Sequence, residues 1–194
     1  WIWVIPFSNG NTSCGFVGNP DYLEKYKGTP TERLKSLINN EPLLKVRFRN
    51  SDMIFEPLMI SAYSIAVKQL HGPGYVLTGN STEFLDPIFS AGVTFATESG
   101  ILAGKLASKQ LKGEKIDWDL EYSMPILNGI EVFRTYIDAW YDGSLHKIFF
   151  SDIIDEKVKK QICSVLAGYV WDKKNPFVAR HKQSVRNLAN LFSE

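Results

Sequence analysis

The residues best suited to chemistry lie at positions 74–104, where a short apolar strand leads into a loop and then into a helix. The first turn of a helix leaves backbone N–H groups free, and the helix dipole adds about half a positive charge there. Ser90, Ala91 and Gly92, just before and at the predicted helix start, are small enough for a ligand to touch the backbone. We therefore expect an anion or cofactor site at this point, with an ordinary strand–loop–helix connection as the alternative.

The elements around this loop predict an α+β or α/β chain. Asn9-Gly10 stands between two β-type runs, which is a strong hairpin signal. Thr29-Pro30-Thr31-Glu32 has the pattern of a capping box with proline at the first helical position. A short strand is expected over residues 75–78, and a helix over residues 92–111 that Gly113 closes.

After residue 112 the apolar spacing predicts helices alone, so we place a boundary near Lys112-Gly113. An aromatic helix over residues 130–150 either forms the core or covers a substrate pocket. The next helix is expected to start at Ser151-Asp152, with Ile154 on its apolar face. Asn175-Pro176 is expected to begin the last helix.

Composition limits the classes of function. The 194 residues carry a formal net charge of +1, which argues against a nucleic-acid partner. Cys14 and Cys163 are far apart, as in proteins of a reducing compartment, and we see no transmembrane segment or signal peptide. We therefore expect a cytoplasmic protein. His71, His146 and His181 are isolated, so no metal site is predicted.

Two motifs resemble those of flavin-dependent halogenases. The loop matches the pattern F-x-x-P-x-x-S-x-G at Phe84, Pro87, Ser90 and Gly92. The first six residues match the signature W-x-W-x-I-P at every defined position. The resemblance covers at least residues 1–111 and is to the phenol and pyrrole branch of the tryptophan halogenase-like superfamily. It implies part of a FAD-binding fold of the p-hydroxybenzoate hydroxylase type, followed by a mostly α-helical region.

The resemblance also implies a division by role. Residues 1–112 would hold the end of a substrate-binding sheet and the second flavin-contacting segment, and residues 113–194 a helical C-terminal region. A G-x-G-x-x-G dinucleotide fingerprint is missing, and the family's catalytic lysine belongs upstream of W-x-W-x-I-P. We therefore expect the chain to be the back part of a longer enzyme, with no catalytic residue of its own and no activity alone.

Site residues follow from the same resemblance. The cofactor-binding positions would be Gly79, Asn80, Asp86, Pro87, Gly92 and Val93. The halide-binding positions would be Ser90, Ala91 and Gly92, and those lining the substrate region or tunnel would be Trp1, Trp3 and Phe89. The alternative role for Asp86 is to cap the loop. The alternative for the two tryptophans is a place in the core, although the motif favours the tunnel. An apolar Phe89 points away from free tryptophan as the substrate.

The function implied is halogenation of a phenolic, pyrrolic or carrier-tethered aromatic substrate. Reduced FAD and O₂ would oxidise chloride or bromide, and a separate flavin reductase would supply the reduced FAD. The basic C-terminal helices are either a solvated surface or a docking site for an acidic carrier protein.

Asn80 departs from the family, which usually has aspartate there, and this keeps one alternative open. That alternative is a FAD-dependent monooxygenase, or a dehydrogenase or reductase of the geranylgeranyl reductase type, without halide chemistry. A third hypothesis, independent of Asn80, is a module that binds a protein partner and has no enzymatic activity.

Overall fold

A computed structural model describes residues 1–151, 153 and 155–192 and confirms the predicted mixed α/β fold class. The chain divides into two units, Trp1–Ser61 and Ala62–Glu194. The boundary predicted near Lys112-Gly113 lies within the second unit. It divides the chain by functional role, and that division stays a prediction. Among the described residues, no helix has the length and apolar character that crossing a bilayer requires.

The first unit begins with the predicted hairpin. Strands β1 (Ile2–Pro6) and β2 (Thr12–Phe16) pair antiparallel, with Trp3 opposite Gly15, and Gly10 takes the left-handed φ of +85° that the turn needs. Three helices follow: α1 (Pro20–Leu23), α2 (Pro30–Asn40) and α3 (Pro42–Arg47). The capping box at α2 is confirmed, because the Thr29 hydroxyl accepts from the Glu32 N–H while Glu32 accepts from the Thr29 N–H at 2.8 Å.

The second unit contains the loop and the remaining helices. A small hairpin joins β3 (His71–Gly72) to β4 (Tyr75–Val76). The helices are α4 (Gly92–Leu111), α5 (Met124–Tyr141), α6 (Ser144–Phe149), α7 (Glu156–Leu166), α8 (Pro176–Ala179) and α9 (His181–Leu191). Helix α4 has the predicted bounds, and Gly113 beyond its end has a φ of +93°.

Helix α5 lies at the centre of the core of this unit. Phe133 and Tyr136 are completely buried, and the Phe133 ring meets Phe95 of α4 at 5.4 Å between centroids. The Tyr136 hydroxyl donates to the Phe177 carbonyl at 2.9 Å, and burial raises the pKa of this phenol. This part of the aromatic stretch is therefore core.

Four predicted boundaries were wrong. The aromatic helix over residues 130–150 is broken at Gly143, whose φ is +83°, so α5 and α6 are separate. Helix α7 begins at Glu156 and not at Ser151-Asp152, because the Asp155 carboxylate caps it by accepting from two backbone N–H groups. Asp152 and Ile154 lie outside the described residues.

The other two errors are in the short elements. The strand expected over residues 75–78 ends at Val76, where pairing with β3 stops. Asn175 caps the short helix α8 by accepting from the Phe177 N–H at 2.9 Å, and the last helix, α9, starts only at His181.

Candidate functional site

A tight turn at Gly79 holds the loop against helix α4. Gly79 is buried with a φ of +57°, and its N–H donates to the Ser99 hydroxyl at 2.8 Å. Its carbonyl accepts from the Thr82 hydroxyl at 2.7 Å. A Cβ at this position would lie only 3.1 Å from the Ala96 Cβ. Glycine is therefore needed here for both its backbone conformation and its close approach to α4.

Asn80 and Gly92 are brought together by this turn. A Cβ on Gly92 would lie 3.5 Å from the Asn80 side-chain oxygen, and both residues are exposed. Helix α4 begins at Gly92 without a side-chain cap. The N–H groups of its first turn therefore lack an intrahelical partner and are available to a ligand beside the Asn80 amide.

The three residues at the helix start have different settings. Ser90 is exposed and adopts a left-handed φ of +53°, which is uncommon for a residue other than glycine. Ala91 is buried, whereas Val93 is 78% exposed. The backbone thus turns sharply at Ser90 and presents the start of α4 to solvent at Gly92 and Val93.

Asp86 is held by two tyrosines. Its Oδ2 accepts from the Tyr63 hydroxyl at 3.0 Å and from the Tyr141 hydroxyl at 2.7 Å. Its Oδ1 caps the turn Pro87–Phe89 by accepting from the Ile88 N–H at 3.0 Å. Burial and the bond to Asp86 raise the pKa of Tyr63 to about 12. These contacts favour the capping role of Asp86, and its role as a flavin contact stays a prediction.

A second carboxylate also fixes the loop to α5. Glu83 forms an ion pair with Arg134, and its side chain is 6% exposed. Arg134 also pairs with Glu131, three residues earlier on the same helix. The Glu83–Arg134 ion pair and the Asp86–Tyr141 hydrogen bond therefore attach the loop to α5 at points two helical turns apart.

Phe89 faces an aromatic group on the helices that follow. Its ring meets Trp140 edge-on at 6.1 Å between centroids, and Trp140 meets His146 at 4.1 Å. Phe149 continues this group at 6.4 Å from Trp140. Phe89 is half-buried, so it combines packing with partial access from solvent.

Trp1 and Trp3 lie in the first unit. Their ring centroids are 5.8 Å apart, and the Trp3 indole covers Gly15, where a Cβ would come within 2.0 Å of the ring. The Trp3 indole N–H donates to the Ser13 hydroxyl at 3.0 Å. The two rings therefore share one end of the hairpin, and their role near a substrate stays a prediction.

The segment after α7 lies against the first turn of α4. Gly168 has a φ of +104°, and a Cβ there would lie 2.9 Å from the Thr94 hydroxyl oxygen. The Trp171 ring meets Phe95 at 5.7 Å, and its indole N–H donates to the Pro125 carbonyl at 2.7 Å. In the described part of the chain, no group of three His, Cys, Asp or Glu side chains is arranged to hold a metal ion.

Most of these contacts have no signal in the sequence. Glu83 and Arg134 are 51 residues apart, and Asp86 and Tyr141 are 55 residues apart. Side-chain pairs at such separations depend on how the helices pack, and neither the loop nor α5 shows the pairing alone. The expectation that the catalytic lysine lies upstream stays a prediction.

Comparisons with known protein sequences identify halogenases as relatives of this chain. No protein-family model matches the chain. It is 32% identical over 119 residues to a 1H-pyrrole-2-carbonyl-[peptidyl-carrier protein] brominase of Pseudoalteromonas luteoviolacea, covering 61% of this chain and 29% of that protein. It is 26% identical over 176 residues to the corresponding chlorinase of Pseudomonas fluorescens, covering 90% and 39%.

Solved structures show the same fold. A flavoprotein/dehydrogenase from Cytophaga hutchinsonii is 53% identical, with a TM-score of 0.92 over 99% of this chain and 47% of that one. The flavin-dependent brominase Bmp2 is 24% identical, with a TM-score of 0.80 over 99% and 48%. The chain therefore spans less than half the length of each of these four relatives.

These relatives confirm the resemblance predicted from the two motifs. Their names also support flavin as the cofactor and a halide as the co-substrate of the relatives. The structure places Gly79, Asn80, Gly92 and the turn that Asp86 caps in one region of the second unit. The binding roles of these residues stay predictions.

Proposed function

We propose that this chain, whose homologues are flavin-dependent halogenases, is the part of such an enzyme that presents the second flavin-contacting segment. The enzyme would use reduced FAD, O₂ and chloride or bromide to halogenate a phenolic, pyrrolic or carrier-tethered aromatic compound. The observation that carries the proposal is the uncapped start of α4, with the Asn80 amide beside Gly92 and the loop fixed by Glu83 and Asp86.

The residues at this start suit a flavin and a halide. The free N–H groups of Gly92 and Val93 and the positive end of the helix dipole would stabilise negative charge on a reduced flavin. The Asn80 amide can hydrogen-bond a ribityl hydroxyl, although it supplies no charge. Ser90 and Ala91 would complete the halide position. The flavin, when bound, would supply the oxidation of halide by O₂.

The aromatic residues around the start of α4 would determine which class of substrate binds. Phe89 gives an apolar, aromatic surface continuous with Trp140, as an uncharged ring substrate requires. We also propose that Trp1 and Trp3 line a substrate region or tunnel, as the motif at the beginning of the chain implies. Residues 1–112 would then carry the flavin and substrate contacts, and residues 113–194 the helical region that supports them.

The partners follow from the same reaction. Reduced FAD would come from a separate flavin reductase, and the substrate would be a small aromatic compound, free or on a carrier protein, as the names of two relatives state for those enzymes. The near-neutral charge does not favour nucleic acid as a partner. The cysteine usage favours a cytoplasmic location.

A dehydrogenase or reductase is the second candidate function. The flavoprotein from Cytophaga hutchinsonii that is 53% identical to this chain is described as a dehydrogenase. Asn80 in place of the family's usual aspartate agrees with this candidate, because it removes a charge from the flavin site. Such an enzyme would keep the flavin-contacting loop and would not respond to halide.

A halide titration separates the two candidates. The chain would first be fused to the part of a relative's sequence that it does not cover. The fusion protein would be loaded with FAD and titrated with bromide while the flavin absorption spectrum is recorded. A halogenase shows a saturable spectral change, and a dehydrogenase shows none. Gly92→Ala should abolish the spectral change, because the new Cβ projects into the space at the exposed helix start where the halide would bind. The fold should be preserved, since this Cβ makes only ordinary contact with Asn80.

Gly104→Ala is the matched control for that titration. It adds the same Cβ to the same helix more than three turns further on, where the Cβ meets no described atom within 4 Å apart from its chain neighbours and the nearby backbone of α4. This variant should retain the bromide response. Equal bromide responses in the wild type and Gly92→Ala would contradict the assignment of this helix start to the halide.

A further inference from the structure

Positive charge is concentrated on the last helices of the chain. Over residues 155–192 the sequence has eight lysines and arginines against three acidic residues, although the whole chain has a net charge of only +1. All eight side chains are exposed, and we call them the basic surface: Lys157, Lys159, Lys160, Lys173, Lys174, Arg180, Lys182 and Arg186. The rest of the chain is correspondingly acidic.

Few of these cations are neutralised within the chain. Lys160 lies 3.9 Å from Glu156 on the same helix, and Lys182 lies 3.2 Å from Glu131. The other six form no ion pair with any residue that the structure describes. The two exposed ion pairs are weak, because solvent screens them. The positive charge of all eight side chains is therefore available to a partner.

The lysines of the surface come from segments that are tied together. The Asn175 side-chain amide donates to the Gln161 carbonyl of α7 at 2.8 Å, which attaches the segment with Lys173 and Lys174 to α7. The Ser184 hydroxyl of α9 donates to the Pro176 carbonyl at 2.9 Å. Helix α7, the segment after it and the start of α9 therefore form one connected part of the second unit.

The same part of the unit reaches the candidate site. Gly168 lies against Thr94 in the first turn of α4, and Trp171 packs on Phe95. Lys173 and Lys174 follow two and three residues after Trp171. The segment that carries Lys173 and Lys174 is therefore the one whose earlier residues contact the beginning of α4.

We propose that the basic surface docks an acidic carrier-protein domain, whose flexible arm delivers the tethered aromatic group to the site. The inference rests on the proposed function and adds the partner and where it binds. Two relatives act on a pyrrole carried by a peptidyl-carrier protein, as their names state. Complementary charge attracts such a domain and orients it. A docking surface on the segment that contacts α4 would let the arm reach the candidate site.

A binding measurement tests the proposal without catalysis. The probe is an acidic peptidyl-carrier protein loaded with 1H-pyrrole-2-carbonyl, labelled with a fluorophore and titrated with this chain at low salt. Lys173→Glu/Lys174→Glu should weaken binding about tenfold or more, because two attractive charges become repulsive. Binding by the wild type should also weaken as salt is raised, since exposed charges are screened.

Lys25→Glu/Lys27→Glu is the matched control, because it makes the same change in charge at exposed lysines of the other unit. It should bind the carrier protein as the wild type does. If Lys173→Glu/Lys174→Glu is poorly folded by circular dichroism, Lys157→Glu/Lys160→Glu on α7 provides the second test of the surface.

The outcomes separate docking from the proposed function. Carrier binding that the Lys173→Glu/Lys174→Glu change weakens selectively supports the docking surface, even if no halogenated product forms. Equal binding by this variant and the wild type overturns it, even if free pyrroles are halogenated. Preferential binding of a DNA duplex or of anionic phospholipid vesicles to the basic surface also overturns it.

Discussion

Replacing Gly79 by alanine tests the geometry of the loop. A left-handed φ costs a residue with a Cβ about 1–2 kcal/mol. The new Cβ would also lie 3.1 Å from the Ala96 Cβ and 3.3 Å from its Cα, which forces a small shift of α4 or of the turn. The smaller entropy of the unfolded chain returns about 0.4–1 kcal/mol. We expect a net loss of about 1–2 kcal/mol in the free energy of unfolding.

Gly100→Ala provides the matched comparison for this change. Gly100 lies inside α4, and a Cβ there meets no described atom within 4 Å apart from its chain neighbours and the nearby backbone of the helix. Alanine should therefore stabilise this chain by about 0.8–1 kcal/mol through its helix propensity.

Thermal unfolding followed by far-UV circular dichroism measures both changes. For a chain of this size, 1 kcal/mol corresponds to about 2–4 °C in Tm, so Gly79→Ala should lower Tm by about 2–8 °C and Gly100→Ala should raise it by about 2–4 °C. A Gly79→Ala variant as stable as the wild type would refute both the strained turn and its close contact with α4.

Three further changes test the contacts that hold the loop and the C-terminal helices. Tyr141→Phe removes one of the two phenol donors to Asp86 and should cost about 1–2 kcal/mol in urea unfolding, whereas an unchanged midpoint would contradict the role of this bond. Glu83→Gln should lower the free energy of unfolding by about 1–3 kcal/mol, because Arg134 loses the nearly buried carboxylate with which it pairs. This loss should persist at high salt, since burial protects the pair from screening. Burial and nearby Lys182 lower the pKa of His181, so its contribution to stability is complete above pH 6.5 and is lost as the pH falls through the lower, folded-state pKa. His181→Gln should reduce this acid-side loss of unfolding free energy, and identical pH profiles would contradict it.

Local patterns predicted the elements that are set by neighbouring residues. The Asn9-Gly10 hairpin, the capping box at Thr29 and the bounds of α4 are all confirmed. Each depends on backbone groups a few residues away, which a single sequence shows directly. The start of α7 was wrong because Asp155 and Ser151-Asp152 are equally plausible caps by residue type, and only the folded backbone selects Asp155.

The candidate site was predictable in part for the same reason. The small residues at the start of α4 and the loop motif are local signals, and the structure brings Asn80 close to Gly92. The ties from the loop to Arg134 and Tyr141 were missed, because they join residues more than 50 positions apart through the packing of α5. Nothing in the sequence near α5 marks these two side chains as partners of the loop.

Analysis of the reaction products tests the central claim most directly. The chain joined to the remaining length of its relatives would receive reduced FAD, O₂, bromide and either phenols or the pyrrole-loaded carrier protein, and the products would be identified by mass spectrometry. We expect a monobrominated product with the isotope doublet of bromine, formed only when bromide is present. A product that gains oxygen and no bromine, or substrate left unchanged by the flavin-loaded protein, would contradict halogenation.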